Sequence, residues 1–193
     1  MGRLTLILGG ARSGKSTYAE RLASQGRSRV TYIATAQGLD AEMAARIAAH
    51  RTKRPSKWET LEIPYNVGDG IQTHLDSEDT DVILLDCLTL LVANLVMKAS
   101  SDVDAPDERM ANELVASELE QLEAAIAGHS PDWIIVSNEV GLGLVPPYPM
   151  GRVYRDLLGW ANQRLAALAY EVYFMIAGIP MRLTPLDHKP GIN

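Results

Sequence analysis

The stretch GGARSGKS (residues 9–16) follows directly on the apolar run RLTLIL (residues 3–8). A glycine, four residues and then Gly-Lys-Ser, placed between a strand and a helix, form the P-loop pattern. The glycines let backbone N–H groups turn toward one anion, and the helix N-terminus adds partial positive charge. We therefore expect a nucleoside triphosphate here, with Lys15 at its β- and γ-phosphates and the Ser16 hydroxyl on Mg²⁺. The alternative is a tight strand-to-helix turn with a chance Gly-Lys-Ser.

Strands and helices are predicted to alternate along the rest of the chain. Predicted strands cover residues 3–8, 30–35, 82–86, 133–140, 172–177 and, as a short edge strand, 181–183. Predicted helices cover residues 15–25, 40–54 with Asp40 as N-cap, the stretch after 86 to about 98, 108–127 and 152–170. This alternation favours an α/β fold with a mainly parallel sheet and helices on both faces. Because no linker or repeat divides the chain, we predict one domain over residues 1–193.

Composition narrows the class of protein further. With 193 residues, 47% of them hydrophobic and 22% charged, the chain has the size and composition of a soluble globular domain. Its net charge of -6 argues against a nucleic-acid partner. The lone Cys87 excludes a disulfide framework and a thiolate metal cage. The most apolar segment, residues 83–97, is shorter than the roughly 20 residues that a bilayer requires, so we expect a cytoplasmic protein without membrane insertion.

The segment DVILLD (residues 81–86) ends an apolar strand on a carboxylate. In P-loop enzymes a carboxylate at the end of a nearby strand holds the metal ion. We therefore predict that Asp86, together with Ser16, ligates Mg²⁺. The alternative is that Asp86 caps the following helix, and both roles can hold at once.

His50 is the candidate nucleophile. It follows Met43 by seven residues and Ile47 by three, which places it beside an apolar helix face. Basic residues surround it in the sequence. A neutral imidazole is a competent nucleophile toward phosphorus. The alternatives are that His50 is a surface or capping residue and that the basic run HRTKRP is a solvated face.

Two later stretches are candidates for ligand contact. Asn138 and Glu139 lie at the end of a predicted buried strand, where an open α/β sheet meets its ligand, and lead into the loop GLGLVPPYPMG. This loop is either a shaped binding loop or a structural turn. Arg152 and Arg155 open the last long helix, where they either contact phosphate or serve packing and salt bridges; for most of that helix we favour packing.

Together these motifs resemble one family over nearly the whole chain, the bifunctional adenosylcobinamide kinase / adenosylcobinamide-phosphate guanylyltransferases of cobalamin biosynthesis. A P-loop alone is unspecific, but the EMAARI..H helix combined with NEVG.G.VP is highly specific. The matching stretches are GGARSGKS, YIAT, DAEMAARIAAHR..RP..W, LLDCLTLLVANL, NEVGLGLVP and GRVYRDLLGWANQRLA.

The resemblance implies a RecA-like P-loop fold and two reactions. The first phosphorylates the aminopropanol hydroxyl of adenosylcobinamide with ATP or GTP. The second transfers GMP from GTP to that phosphate and gives adenosylcobinamide-GDP and pyrophosphate. The family carries GMP on a histidine, which matches His50. Some relatives have a second histidine just before it, where this chain has Ala49.

The resemblance also implies a set of site residues and an assembly. The catalytic residues would be His50 and Lys15. Some relatives have glutamate at the position of Asp86, which leaves open whether this shorter side chain contacts guanine, Mg²⁺ or both. The family implies a homo-oligomer, with a trimer favoured. The nucleotide contacts map onto Gly9, Gly10, Ala11, Arg12, Ser13, Gly14, Lys15, Ser16, Ala34, Thr35, Ala36, Arg51, Thr52, Lys53, Arg54, Glu62 and Asp86.

Two other functions are compatible with the motifs. One is a simple P-loop kinase for a small molecule, with no covalent intermediate. The other is a nucleotide-binding regulatory module whose partner binding depends on nucleotide state. For the kinase step, Asp86 and Glu139 are the candidate general bases, and the residues do not decide between them.

Overall fold

The computed structural model contains one seven-stranded sheet flanked by helices. The structure describes residues 2–25, 29–38, 41–74 and 80–183; within these ranges the side chains of Glu42, Arg46, Ala49, His50 and Lys53 are not described. The strands are β1 (Leu4–Gly9), β2 (Val30–Ala34), β3 (Glu59–Glu62), β4 (Val82–Asp86), β5 (Asp132–Val136), β6 (Glu171–Ile176) and β7 (Ile179–Leu183). The helices are α1 (Lys15–Ser24), α2 (Ala41–Lys53), α3 (Val67–His74), α4 (Leu88–Ala99), α5 (Glu108–Gly128) and α6 (Pro149–Leu168).

The strand order is β3-β2-β4-β5-β1-β6-β7, and every neighbouring pair is parallel except β6 with β7. The strand before the P-loop, β1, is thus separated from the Asp86 strand, β4, by the inserted β5. This insertion is the arrangement of RecA-like P-loop folds. The predicted α/β class with a mainly parallel sheet is confirmed.

Alternating side chains of the central strands enter two separate cores. In β4, Ile83 and Leu85 join the larger core, whereas Val82 and Leu84 join the smaller one on the other face. Helices α3, α4, α5 and α6 supply the larger core, and α1 supplies the smaller. Both faces of the strand are therefore buried, which explains its uninterrupted apolar sequence.

Several predicted boundaries are wrong. The strand predicted over residues 133–140 ends at Val136, and the stretch SNEV after it is irregular. The last helix begins at Pro149, three residues before the predicted start, because a proline without an N–H is well tolerated in the first helical turn. Cys87, not Asp86, is the N-cap of α4. Asp40, the predicted N-cap of α2, lies outside the described residues.

The sequence interpretation assigned neither β3 nor α3. Helix α3 is short and contains Gly68 and Gly70, which disfavour a helix by intrinsic propensity. Tertiary contacts outweigh this propensity. A Cβ at Gly68 would lie 2.6 Å from the Gln121 carbonyl oxygen of α5, so only glycine permits the close approach of the two helices. Among the described residues, no helix is long and apolar enough to cross a bilayer.

Candidate nucleotide site

The site lies at the carboxyl edge of the sheet, where four parallel strands end side by side. Ala34 of β2 pairs with Asp86 of β4, Asp86 pairs with Val136 of β5, and Val136 pairs with Ile7 of β1. The P-loop leaves the sheet just beyond this row, at Gly9. Sheet hydrogen bonding therefore fixes where the P-loop and the Asp86 carboxylate stand relative to each other.

The P-loop backbone is held at both ends by other loops. The Glu139 N–H donates to the Gly9 carbonyl at 3.0 Å, and the Gly178 N–H in the β6–β7 turn donates to the Ser13 carbonyl at 2.9 Å. Gly9 and Gly14 have φ values of 148° and 95°, which side chains rarely adopt. The loop is thus held in one conformation, which requires glycine at these two positions.

Lys15 lies at the start of α1 and is only 7% exposed. Its Nζ donates a 2.6 Å hydrogen bond to the Gly10 carbonyl of the same loop. Burial lowers the pKa of this amine from its ordinary value of 10.5, and the charge of the nearby Asp86 partly opposes that effect. A polyphosphate beside Lys15 would compensate the buried positive charge.

A cavity of about 460 Å³ opens above the row of strand ends. This volume lies within the range of roughly 300–1,000 Å³ that is usual for small-molecule sites. The cavity brings together most of the predicted nucleotide residues with groups from α2, α4 and the loop after β5. It is lined by Ala11, Arg12, Ser13, Gly14, Lys15, Ser16, Thr17, Tyr32, Ala34, Ala36, Met43, Ile47, Arg54, Asp86, Cys87, Thr89, Leu90, Val136 and Asn138.

Tyr32 lines the cavity and contacts three other side chains. Its hydroxyl donates a 3.0 Å hydrogen bond to Asp86 Oδ2. The Arg54 guanidinium carbon lies 3.5 Å from the centroid of the Tyr32 ring, and the Trp58 ring stacks on the same tyrosine at 6.5 Å. Burial, together with the Asp86 charge, raises the pKa of the phenol, so Tyr32 stays a neutral hydrogen-bond donor at physiological pH.

Two buried donors line the cavity without a hydrogen-bond partner among the described residues. They are Ser13 Oγ and Arg54 Nε. Buried polar groups in folded proteins almost always have a partner, so two unpaired donors on residues that line one cavity suit a ligand rich in acceptor oxygens. A phosphate chain is such a ligand.

The ends of β2 and β4 are joined by Thr35. Its hydroxyl donates to the Cys87 carbonyl at 2.7 Å and accepts from the Cys87 N–H at 3.0 Å. The buried Asn94 donates to the Thr35 carbonyl at 2.9 Å. Burial, followed by the Asp86 charge, raises the pKa of the Cys87 thiol to about 12, so it is not a thiolate nucleophile.

Other predicted site residues do not line the cavity. The Arg51 guanidinium and the Glu62 carboxylate form an exposed ion pair with an N···O distance of 3.5 Å, and the Thr52 hydroxyl donates to the Ala48 carbonyl of its own helix. His50 lies in α2, but its side chain is outside the described part of the chain. The remaining predicted residues outside the lining are Gly9, Gly10 and Thr35, and the Lys53 side chain is not described.

For the residues after β5 the sequence left two alternatives open, ligand contact and a structural turn, and different residues of the stretch suit each. Asn138 lines the cavity, and its N–H donates to the Thr89 hydroxyl at 2.7 Å. Glu139 does not line it, and its Oε1 accepts from the Gly141 N–H at 2.7 Å, which shapes the following turn. Arg152 donates to the carbonyls of Pro146 and Pro147, each at 3.1 Å, so this arginine has the packing role.

Comparison with known proteins identifies the family. The profile of the family described as "Cobinamide kinase / cobinamide phosphate guanyltransferase" matches residues 5–183. The chain belongs to this family. The resemblance inferred from the sequence motifs is therefore confirmed.

Individual relatives match over nearly their full length. "Bifunctional adenosylcobalamin biosynthesis protein CobU" of Escherichia coli (strain K12) is 42% identical, over 93% of this chain and 99% of that protein. "Bifunctional adenosylcobalamin biosynthesis protein CobP" of Pseudomonas aeruginosa is 43% identical, over 96% of this chain and 98% of that protein. Among solved structures, that of the RadB recombinase covers 90% of this chain and 74% of its own, with 16% identity and a TM-score of 0.48.

Sequence reasoning missed several residues that form the cavity. Tyr32 could have been found, because strand alternation puts it on the same side of β2 as Ala34, which was predicted to bind nucleotide. Met43 and Ile47 were assigned only to an apolar helix face, yet both line the cavity. Thr89 and Leu90, in the first turn of α4, lie in the matching stretch LLDCLTLLVANL, but no role was assigned to them.

Proposed function

We propose that this chain phosphorylates adenosylcobinamide and then guanylylates the product, using one nucleotide cavity for both reactions. The observation that carries the proposal is the single cavity that holds Lys15, Asp86 and the two unpaired buried donors, in a chain of the cobinamide kinase family. Under this proposal Ser13 Oγ and Arg54 Nε bind phosphate oxygens. Their buried position makes such contacts stronger than they would be in water.

In the kinase reaction, the hydroxyl oxygen of adenosylcobinamide attacks the γ-phosphorus of ATP or GTP. A new P–O bond forms, the bond to the bridging oxygen breaks, and a nucleoside diphosphate leaves. Lys15 and the P-loop N–H groups stabilise the charge on the departing oxygens. The hydroxyl proton passes to a carboxylate, for which Asp86 and Glu139 are the candidates. Of these two, Asp86 lines the cavity.

In the guanylyltransferase reaction, a nitrogen of neutral His50 attacks the α-phosphorus of GTP. The P–N bond forms as the bond to pyrophosphate breaks. A phosphate oxygen of adenosylcobinamide phosphate then attacks the same phosphorus, releases His50 and gives adenosylcobinamide-GDP. Sequence spacing supports this role, because His50 follows the cavity residue Ile47 by three helical positions.

The residues present fit a magnesium ion. The Ser16 hydroxyl and the Asp86 carboxylate line the same cavity and are oxygen donors of the kind that Mg²⁺ prefers. Mg²⁺ is commonly held by one or two carboxylates together with substrate phosphates, so these two groups would suffice on the protein side. When bound, the ion neutralises charge on the phosphate chain. Tyr32 would orient Asp86 for this role.

Trapping the covalent intermediate tests the proposal. The protein is incubated with Mg²⁺ and GTP labelled at the α-phosphorus, denatured at neutral pH and counted before and after acid treatment. The proposal requires protein-bound label that acid removes, and adenosylcobinamide-GDP once the corrinoid is supplied. Phosphorylated corrinoid without bound label would favour the simple kinase. Neither product would favour the regulatory module.

A further inference from the structure

Asn138 lines the nucleotide cavity just beyond the end of β5. Both polar groups of its backbone are paired: the N–H donates to the Thr89 hydroxyl at 2.7 Å, and the carbonyl accepts from the Asn162 amide at 3.0 Å. Within the described part of the chain, its side-chain amide has no hydrogen-bond partner. The fold therefore holds the Asn138 backbone in place and leaves the side chain available to a ligand.

A buried polar cluster holds this backbone from the side of α6. Ser137 is fully buried, and its hydroxyl donates to Asn162 Oδ1 at 2.7 Å. Asn162 is itself only 4% exposed, and its Nδ2 is the donor to the Asn138 carbonyl. Burying polar side chains is unfavourable unless they are hydrogen-bonded. Here the bonds that satisfy them also fix the residue that lines the cavity.

On its other side, the stretch after β5 continues the pairing with β1 into the P-loop. The Ser137 and Glu139 N–H groups donate to the carbonyls of Ile7 and Gly9 at 2.9 and 3.0 Å. Asn138, between these two donors, therefore lies beside the beginning of the P-loop. Because β5 stands between β1 and β4 in the sheet, Asn138 also lies between the P-loop and the strand that ends on the proposed magnesium ligand.

This position favours one part of a bound nucleotide. In P-loop enzymes the lysine lies at the β- and γ-phosphates, and the metal ion bridges oxygens of the same two groups. Lys15 and Asp86 line the cavity together with Asn138, whose strand lies between the strands that precede Lys15 and contain Asp86. A side-chain amide donates hydrogen bonds through its NH₂ group, and such bonds are stronger when the acceptor is charged.

We propose that the Asn138 amide donates a hydrogen bond to the terminal phosphate of a nucleoside triphosphate, so that the cavity favours the triphosphate over the diphosphate. This inference rests on the nucleotide site of the proposed function. A diphosphate lacks the group to which Asn138 would donate, and the contact therefore discriminates between the two nucleotides. The same preference favours replacement of the diphosphate product by a new triphosphate after each kinase reaction.

The test measures nucleotide affinity by calorimetry, without corrinoid and with Mg²⁺. The ligands are the α,β-methylene analogues of GTP and GDP, because a methylene group there prevents His50 from expelling pyrophosphate during the titration. Wild type is compared with Asn138→Ala, Asn138→Asp and the matched control Asn112→Ala. Asn112 is exposed on α5, and its amide donates to the Glu108 carbonyl of its own helix. The KM for adenosylcobinamide in the kinase reaction is measured in parallel.

We expect Asn138→Ala to weaken binding of the triphosphate analogue about tenfold, equivalent to about 1.4 kcal/mol, and to leave the affinity for the diphosphate analogue unchanged. Asn138→Asp should weaken triphosphate binding at least as much, because a carboxylate cannot donate and repels phosphate. The control should match wild type with both analogues. A general structural defect would weaken both analogues alike, so the ratio of the two affinities isolates the terminal phosphate.

Three results would overturn the inference. Equal losses for the two analogues would assign Asn138 to another part of the nucleotide or to a structural role. Unchanged affinities together with a raised KM for adenosylcobinamide would assign the amide to the second substrate. Wild-type triphosphate affinity in Asn138→Asp would exclude donation to phosphate. Wild type that binds the analogues but does not phosphorylate adenosylcobinamide would overturn the proposed function alone, since the affinity ratio still decides the role of Asn138.

Discussion

The Tyr32 hydroxyl and the Asp86 carboxylate are joined by a 3.0 Å hydrogen bond across two neighbouring strands. The Arg54 guanidinium carbon lies over the face of the same tyrosine ring, 3.5 Å from its centroid. One side chain therefore orients both the carboxylate proposed to hold Mg²⁺ and an arginine proposed to bind phosphate. The two contacts use different parts of Tyr32, the hydroxyl and the ring, so they can be separated by mutation.

Tyr32→Phe should weaken the use of Mg²⁺ while leaving the fold intact. The ring that supports Arg54 remains, but the hydrogen bond to a charged carboxylate, worth about 1.5–3 kcal/mol, is lost. We expect the Mg²⁺ concentration for half-maximal activity to rise by about tenfold, with activity recovering at high Mg²⁺. Tyr173→Phe, which loses a phenol bonded to Glu171 on β6, is the matched control. Equal Mg²⁺ curves for the two variants would contradict the orienting role.

Gly9→Ala and Gly10→Ala should differ although the residues are adjacent. A Cβ at Gly9 would lie 2.6 Å from the Met175 carbonyl oxygen, whereas one at Gly10 meets nothing within 4 Å. We expect Gly9→Ala to lower the melting temperature and abolish nucleotide binding, and Gly10→Ala to melt like wild type. Thermal melts and nucleotide titrations of both variants check this. Equal melting temperatures would show that the P-loop can relax around the new methyl group.

Lys15→Ala should impair both reactions. The lysine is proposed to stabilise charge on the departing oxygens in each, so both rates should fall by roughly 100-fold or more, about 2.7 kcal/mol at 1.36 kcal/mol per decade. Each product is quantified separately in the same assay. Lys57→Ala, at an exposed position, controls for the loss of a positive charge. Loss of one activity with retention of the other would refute a shared nucleotide cavity.

His50→Asn should separate the two reactions. Asparagine keeps a polar group and costs a helix well under 1 kcal/mol, but it cannot form the phosphoramidate. The variant should phosphorylate adenosylcobinamide, retain no label from α-labelled GTP and make no adenosylcobinamide-GDP. His74→Asn, in the exposed last turn of α3, should retain both activities. Substantial adenosylcobinamide-GDP from His50→Asn would instead require direct transfer from GTP to the substrate phosphate.

Glu118→Gln should change both stability and its dependence on pH. Glu118 is only 3% exposed, and its carboxylate accepts from the Asn66 and Val67 N–H groups at 2.8 and 2.7 Å, which caps α3. A glutamine carbonyl can replace one of its oxygens but not the other. The variant should therefore lose roughly 1–3 kcal/mol of unfolding free energy at neutral pH.

The pH effect follows from the direction of the shift. Burial raises the pKa of Glu118 above its ordinary 4.5, more than the two backbone N–H groups lower it. The folded chain therefore binds this proton more tightly than the unfolded chain. The resulting stability is fully present below pH 4.5 and is lost as the pH rises through the folded value. Urea unfolding from pH 4.5 to 7 should show this loss in wild type and in the exposed control Glu120→Gln, but not in Glu118→Gln.

The sequence was most informative where local chemistry decides the structure. The P-loop, the buried strand ending in Asp86 and the long amphipathic helices have periodicities or motifs that do not depend on distant residues. Helix α3 could not be predicted because the features that stabilise it, the Glu118 cap and the close packing of Gly68 on α5, come from far along the chain. The assembly, the cytoplasmic location and the single domain stay predictions.

Which residues form the candidate site could be predicted from the sequence, but the arrangement of their side chains could not. Residues 11–16 of the P-loop, Ala34, Ala36, Arg54 and Asp86 were all expected and do share one cavity. Thr35 was also expected to contact nucleotide, which stays a prediction; it does not line the cavity, and its hydroxyl joins β2 to the Cys87 backbone. Whether a residue at a strand end faces the ligand or the neighbouring strand depends on pairing that sequence motifs do not record.

Both faces of β4 are apolar, and this affects how the strand reaches its native pairing register during folding. Because Ile83 and Leu85 are buried on one face and Val82 and Leu84 on the other, hydrophobic burial scarcely distinguishes the native pairing from one displaced by a single residue. What distinguishes them is polar: only the native pairing lets Asp86 reach Tyr32 and Cys87 reach Thr35. The contacts of Asp86 with Tyr32 and of Cys87 with Thr35, beside the proposed nucleotide site, therefore also favour the native strand pairing.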